Sequence, residues 1–406
     1  IQQCATCHSR REPHTDASPV PGTPYHDSYS LALLRPGLYQ ADGQILDEVY
    51  VYGSFLQSKM YAKGVGCTDC HDSHSATLVA EGNAVCAQCH SLVGNPRFPS
   101  LKLAEYDSPA HHFHETGSEA AQCKSCHMRE RVYMGNDWRS DHSFRIPRPD
   151  LTAETGSIDA CTGCHSDRDP GWSAERIAER YPETTNRGPH FGTTLARGRT
   201  DATLAAEDLA ALAGDVAQPA IVRATALWLL QSSGRPGISA QLAYLVQDES
   251  PLVRETAVGL MQSAPLQDRV SSLANAFEDP VRSVRIAAAR AFLGVPVVRL
   301  PRQIQASLDN AMSEWRSAML SRQDFPETHL QMAGMALTMR AIPAATAAFR
   351  ESVRLDPQRT EAWIMLVRIA AATGGAAEAR SVLEEALSVV PADPSLLAMQ
   401  QELSGN

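Results

Sequence analysis

Residues 64–94 read GVGCTDCHDSHSATLVAEGNAVCAQCHSLVG. Two pentapeptides of the form Cys-x-x-Cys-His stand in this stretch: Cys67, Cys70 and His71, then Cys86, Cys89 and His90. Reading outward, the spacing recurs three more times. It appears upstream as Cys4, Cys7 and His8, and downstream as Cys123, Cys126 and His127 and as Cys161, Cys164 and His165. The five motifs use all ten cysteines. Cys-x-x-Cys-His is the attachment motif of c-type haem. Two thiols three residues apart lie on one side of a helical turn, where each can form a thioether to a haem vinyl group. The next residue then points its imidazole at the iron as proximal ligand. Half a zinc site or a redox dithiol accounts for one such pentapeptide. Neither explains a histidine after every pair with no thiol left over. Five covalent haem c groups are expected, and no disulfides.

The chain has 406 residues, 43% hydrophobic and 20% charged, which is ordinary for a globular protein. Its formal net charge of −10 argues against nucleic acid as a partner. No apolar run approaches the ~18 residues of a membrane-spanning helix. The chain opens at Ile1 with neither the charged nor the apolar region of a leader. A haem motif so near that end has little polypeptide before it, so a processed or partial form of a longer protein is expected.

Composition changes near residue 200. Thirteen of the 14 histidines and nine of the 10 tyrosines lie before residue 191. Loop signals such as PVPGTP and PRFP punctuate this part. The expected fold is mostly α: a loop-rich multihaem cytochrome c domain over 1–200, followed by an α-helical solenoid. Within 201–300 a 31-residue period relates Val222-Arg223, Ala226 and Leu229 to Val253-Arg254, Ala257 and Leu260, and again to Val284-Arg285, Ala288 and Ala291. A proline precedes each block (Pro219, Pro251, Pro280), as HEAT-like helix pairs would require. Residues 301–324 read as one bridging helix. Within 325–406 a 34-residue period aligns Ala345, Phe349, Val353 and Pro357 with Ala379, Leu383, Leu387 and Pro391. That is the period of the tetratricopeptide repeat (TPR), with a capping helix near 393–404.

Each iron has one further axial site. A second histidine there gives an electron-transfer haem, whereas an open site permits ligand binding. The spare histidines of the first 200 residues are His14, His26, His74, His111, His112, His114, His142 and His190. Of these, His74, three residues past a proximal ligand, is expected to serve a neighbouring haem, and His142 comes next. At least one of His111, His112 and His114 is expected to bind iron. His26 and His14 complete the candidate set. His329, alone in the helical part, is expected to be structural.

The order of sites resembles the core of pentahaem nitrite reductases and hydroxylamine-oxidoreductase-like enzymes. GCTDCH is followed by CAQCH, a histidine-rich segment, CKSCHM, the dipeptide Asp141-His142 and a last motif. The phrases DEVYVYGSFLQSKMYAKGVGCTDCHDSH and DHSFRIPRPDL resemble more closely a group of exported bacterial multihaem cytochromes whose haem domain runs into HEAT and TPR repeats. That resemblance implies further haem sites upstream of the segment at Cys4–Arg11. The likeness to c-type cytochromes implies an exported protein, periplasmic or extracellular. Pentahaem nitrite reductases carry lysine in place of the motif histidine at the catalytic haem. Here every motif ends in histidine.

No catalytic residue is assigned. The expected function is electron transfer along five haems, with the helical repeats docking redox partner proteins, other c-type cytochromes foremost, or assembling copies of the chain. The alternative is an oxidoreductase acting on nitrite, hydroxylamine or a related oxyanion, with Arg10, Arg11, Tyr52, Tyr61 and His114 as pocket residues.

Overall fold

The computed structural model describes residues 1–295 and 300–404. The chain is mostly helical. Among the described residues, strands are confined to two two-stranded sheets. Contacts divide it into two compact units, residues 1–12 with 19–276, and residues 13–18 with the chain from 277 onward.

In the first unit no helix before Pro170 exceeds five residues among those described. Prolines and glycines are frequent in this part, and its regular structure is short helical turns, some of them at the Cys-x-x-Cys-His motifs, with two small sheets. The hairpin Glu130–Tyr133/Asp137–Ser140 is antiparallel, with Glu130 opposite Ser140 and Tyr133 opposite Asp137. From Pro170 the helices lengthen: Pro170–Arg180, Phe191–Thr200, Ala206–Gly214, Ala220–Leu230 and Pro251–Leu260. Asp169 caps the first by accepting from Trp172 N (2.8 Å), and Pro170 fills the first helical position, where no amide donor is needed. Leu195, Leu209, Ile221, Leu227, Leu245 and Leu260 are fully buried between these helices.

The loop-rich part packs on the same core. Leu34 N donates to Thr225 Oγ1 (3.1 Å), and Ser30 Oγ donates to Glu255 Oε1 (2.6 Å). The Arg199 guanidinium donates to the carbonyls of Leu34, Tyr39 and Gln40 (2.7, 3.0 and 3.2 Å). Burial pushes that guanidinium down to about 10. A Cβ on Gly198 would meet Leu209 Cδ2 at 2.9 Å, so the helices either side of residue 200 approach to a distance only glycine allows. The expected boundary at 200 thus falls inside the first unit. Residues 201–276 share a core with the motif-bearing loops.

Helices Ala220–Leu230, Pro251–Leu260 and Arg282–Ala291 begin 31 residues apart. Chemistry recurs with them. Arg254 donates to the carbonyl of Asp248 (2.9 Å), as Arg285 does to that of Asp279 (2.6 Å). Arg223 makes a buried ion pair with Asp248 (2.6 Å).

The second unit contains Arg282–Ala291, Arg302–Leu320, Pro326–Thr338, Ile342–Leu355, Thr360–Val389 and Pro394–Ser404. The long element Thr360–Val389 is two helices, because Gly375 at φ 80° breaks it. A left-handed residue of this kind favours glycine. Ala333, Ala345, Ala362 and Ala379 let the helices close around Phe349 and Trp363. Arg302–Leu320 lies within the expected bridging helix. The expected boundary near 300 adjoins residues 296–299, which lie outside the described residues. His329 is buried and bonds through Nε2 to the carbonyl of Gln323 (2.8 Å).

Candidate haem-binding site

Each motif coils into a single turn closed on its first cysteine. The carbonyls of Cys4, Cys67, Cys86 and Cys161 each accept from the second cysteine of their motif (3.1–3.2 Å) and from the following histidine (2.9–3.0 Å). The fourth motif is the helix Cys123–His127. All ten thiols are free of disulfides, as the haem reading requires. Among the described residues no three His, Cys, Asp or Glu side chains converge on one point.

The five turns are joined in chain order. The Cys4 and Cys67 sulfurs are neighbours, and so are those of Cys86 and Cys123. Gln88 Nε2 donates to the carbonyl of Asp69 (2.8 Å), and Arg97 pairs with the Asp69 carboxylate, tying the third motif to the second. Asn83 ties the third to the fourth: its Oδ1 accepts from Cys123 N (2.9 Å) and its Nδ2 donates to the carbonyl of Ala121 (3.1 Å). Arg129 donates to the carbonyl of Asp159, joining the fourth to the fifth. The Asn83 joint is directly testable. Asn83→Ala leaves a donor and an acceptor beside the fourth motif without partners, a cost of about 1–3 kcal/mol. Thermal unfolding of the haem-loaded variant is expected to begin several degrees lower with the haem count unchanged.

Three motif histidines face a second imidazole. His71 and His142 have ring centres 6.3 Å apart at 21°, His127 and His111 6.1 Å apart at 6°, and His165 and His114 6.2 Å apart at 32°. Two imidazoles on opposite sides of one metal, each with a nitrogen about 2.0 Å from it, have ring centres about 6 Å apart. The spacing fits an iron held between the two members of each pair.

Hydrogen bonds select which nitrogen each ring offers. His142 Nδ1 donates to the carbonyl of Ser140 (2.9 Å), His127 Nδ1 to that of Arg145 (2.6 Å) and His114 Nδ1 to that of His112 (2.5 Å). A ring nitrogen facing a carbonyl carries the proton, so Nε2 keeps its lone pair for a metal. Burial holds His142, His111 and His90 below the ordinary histidine range, in the neutral form that ligation needs. The segment DHSFR reaches two motifs at once. It supplies His142, and its Arg145 both accepts from the His127 ring and donates N–H to the His127 carbonyl (3.0 Å). The buried Asp141 accepts from Ile45 N (3.0 Å) and Ser143 N (2.8 Å), which fixes the turn that carries His142.

The other candidates are placed differently. His74 is exposed, on a turn closed by its N–H to Asp72 Oδ1 (2.9 Å), and among the described residues no motif histidine faces its ring. His26 is buried with Nδ1 unpartnered, and burial followed by Arg254 pushes it down to about 4. His112 Nε2 is likewise buried without a partner. His14 is buried in the second unit. His190 caps a helix, its Nδ1 accepting from Gly192 N (3.0 Å). Of the suggested oxyanion pocket, Tyr52 and Tyr61 line an open cavity of about 460 Å³ beside the first motif. Arg11 instead lies over the Tyr29 ring (4.6 Å) and His114 faces His165, so the five residues do not form one pocket.

Residues 59–93 match the doubled CXXCH motif, spanning the second and third of the five motifs. No curated protein matches the chain. It aligns with the crystal structure of the outer cell wall cytochrome OcwA at 16% identity and a TM-score of 0.33. That alignment covers 64% of each chain, less than two thirds of either. No described helix of the chain is long and apolar enough to cross a membrane.

Proposed function

We propose that the chain binds five haem c groups covalently and carries electrons along them, in motif order, between redox proteins outside the inner membrane. The three facing imidazole pairs carry this reading. An iron with both axial positions filled by side chains exchanges electrons and not ligands, and haem supplies the one-electron couple. The chain's own residues hold that arrangement: backbone carbonyls set the ligand tautomers, and Gln88, Asn83 and Arg129 fix each motif against the next. His112 and His26, with buried unpartnered ring nitrogens, are the nitrogens we assign to the irons of the two remaining motifs. The HEAT-like and TPR-like helices serve to dock other cytochromes or further copies of the chain, since stacked repeats leave a continuous surface free for partners.

The test is made on the purified haem-loaded protein. Intact mass is expected to exceed that of the polypeptide by five haems, and acid acetone is expected to extract none. The ferric spectrum is expected to be low-spin. A mass showing fewer than four haems overturns the proposal. A substantial high-spin fraction would instead favour the oxidoreductase reading, with an open haem reducing or oxidising a small nitrogen species.

A further inference from the structure

The helix Pro170–Arg180 reaches the axial ligands of two successive motifs. In its first turn the Trp172 ring lies 5.0 Å from the His165 ring. At its other end Tyr181 closes the helix by donating N–H to Ile177 O (2.9 Å) and turns its hydroxyl onto His111. That hydroxyl lies 2.8 Å from the His111 carbonyl oxygen and 2.9 Å from His111 Nδ1. A phenol has one proton to give. The carbonyl can only accept, so it takes that proton, and the phenol oxygen must then accept from Nδ1–H. His114, His127 and His142 turn their Nδ1 to backbone carbonyls, whereas in His111 a side chain does this work.

We infer that Tyr181 is a positioning residue that sets the tautomer, the ring plane and the electron-donating strength of His111, and so tunes the potential of the haem held between His127 and His111. The inference rests on the haem reading proposed above. Its physical basis is general. A hydrogen bond accepted from the remote nitrogen of a metal-bound imidazole raises the basicity of the ligating nitrogen. A more basic axial ligand favours the ferric state and lowers the potential. The same bond restrains rotation about the axis through the metal, and here the two rings lie within 6° of parallel. The edge contact of Phe113 on the Tyr181 ring, at 5.5 Å, survives loss of the hydroxyl, so packing and hydrogen bonding can be separated.

The experiment compares wild type, Tyr181→Phe and Tyr106→Phe as full-length haem-loaded proteins. The Tyr106 hydroxyl donates to the Lys102 carbonyl (2.9 Å), although its ring also packs 5.1 Å from His111. Intact mass is read first, because a wild-type haem count below four would refute the haem reading and not the role of Tyr181. With five haems retained, Tyr181→Phe is expected to move one of the five potentials upward. It is also expected to alter one low-spin component of the electron paramagnetic resonance spectrum, the one from the near-parallel ligand pair. Tyr106→Phe is expected to change neither. If haem loading falls in Tyr181→Phe, a fluorinated tyrosine at position 181 keeps the ring and weakens the oxygen as an acceptor, and the same upward shift is expected. Potentials and resonance signals identical to wild type in a fully loaded variant would overturn the inference, as would an equal change in Tyr106→Phe.

Discussion

Replacing His142 with alanine is expected to turn one low-spin haem in five into a high-spin haem that binds cyanide. The His142 ring stands 6.3 Å from the His71 ring, and its Nδ1 is committed to the Ser140 carbonyl. Alanine has no donor to offer, and the neighbouring Phe144 ring, 5.7 Å from His142, cannot ligate. The iron would keep His71 alone and accept an exogenous ligand at the vacated position. His111→Ala and His114→Ala are expected to do the same at the fourth and fifth motifs. His74→Ala, on its exposed turn, is expected to leave the spectrum of the purified protein unchanged. Cyanide titration of the ferric proteins reads all four. A His142→Ala protein with five haems and no cyanide-binding fraction would remove the assignment.

Ending the chain at residue 200 is expected to abolish stable haem loading, although every Cys-x-x-Cys-His motif would be present. Leu34 and Leu195 are fully enclosed. Helix Phe191–Thr200 packs on Ala206–Gly214 and Ala220–Leu230, and the Leu34 amide is bonded to Thr225. Exposing each of the two leucines costs about 1.5–3 kcal/mol. Losing the bonds to Thr225 and Glu255 costs about 0.5–1.5 kcal/mol apiece. Their sum is a large share of the roughly 5–15 kcal/mol by which a domain is ordinarily stable. A chain ending after Ala276 keeps the first unit whole and is expected to load haem as wild type does. Haem per polypeptide, measured by mass on both truncations, decides the matter. Full loading at residue 200 would mean that the motif region folds without the helices.

The haem motifs, the mostly helical fold and the 31-residue recurrence of helix starts are legible in the amino-acid sequence, because each rests on local chemistry. A Cys-x-x-Cys-His turn is closed by hydrogen bonds within its own five residues, and a repeat period is a property of residue order. The candidate distal ligands are legible there only as a pool. Sequence proximity points first to His74, yet the structure brings His142, His111 and His114 opposite motif rings. His74, expected to serve a neighbouring haem, sits on an exposed turn that no motif histidine faces among the described residues, whereas each facing imidazole comes from a segment that returns from elsewhere in the chain. His142 does so from 71 residues along the chain.

Residue types and spacings by themselves thus determined the cofactor chemistry, the number of attachment motifs and the pool of imidazoles. Tertiary structure decided which imidazoles face each other, which nitrogen each presents and where the first unit ends. The tautomers hang on the carbonyls of Ser140, Arg145 and His112, and a backbone carbonyl has no signature in a sequence. The unit boundary hangs on contacts across residue 200, such as Thr225 with the Leu34 amide and Glu255 with the Ser30 hydroxyl. The physical reason is the same in both cases. Axial pairing and core sharing are contacts between residues distant in the chain, and their energy depends on the positions of backbone atoms that only folding brings together.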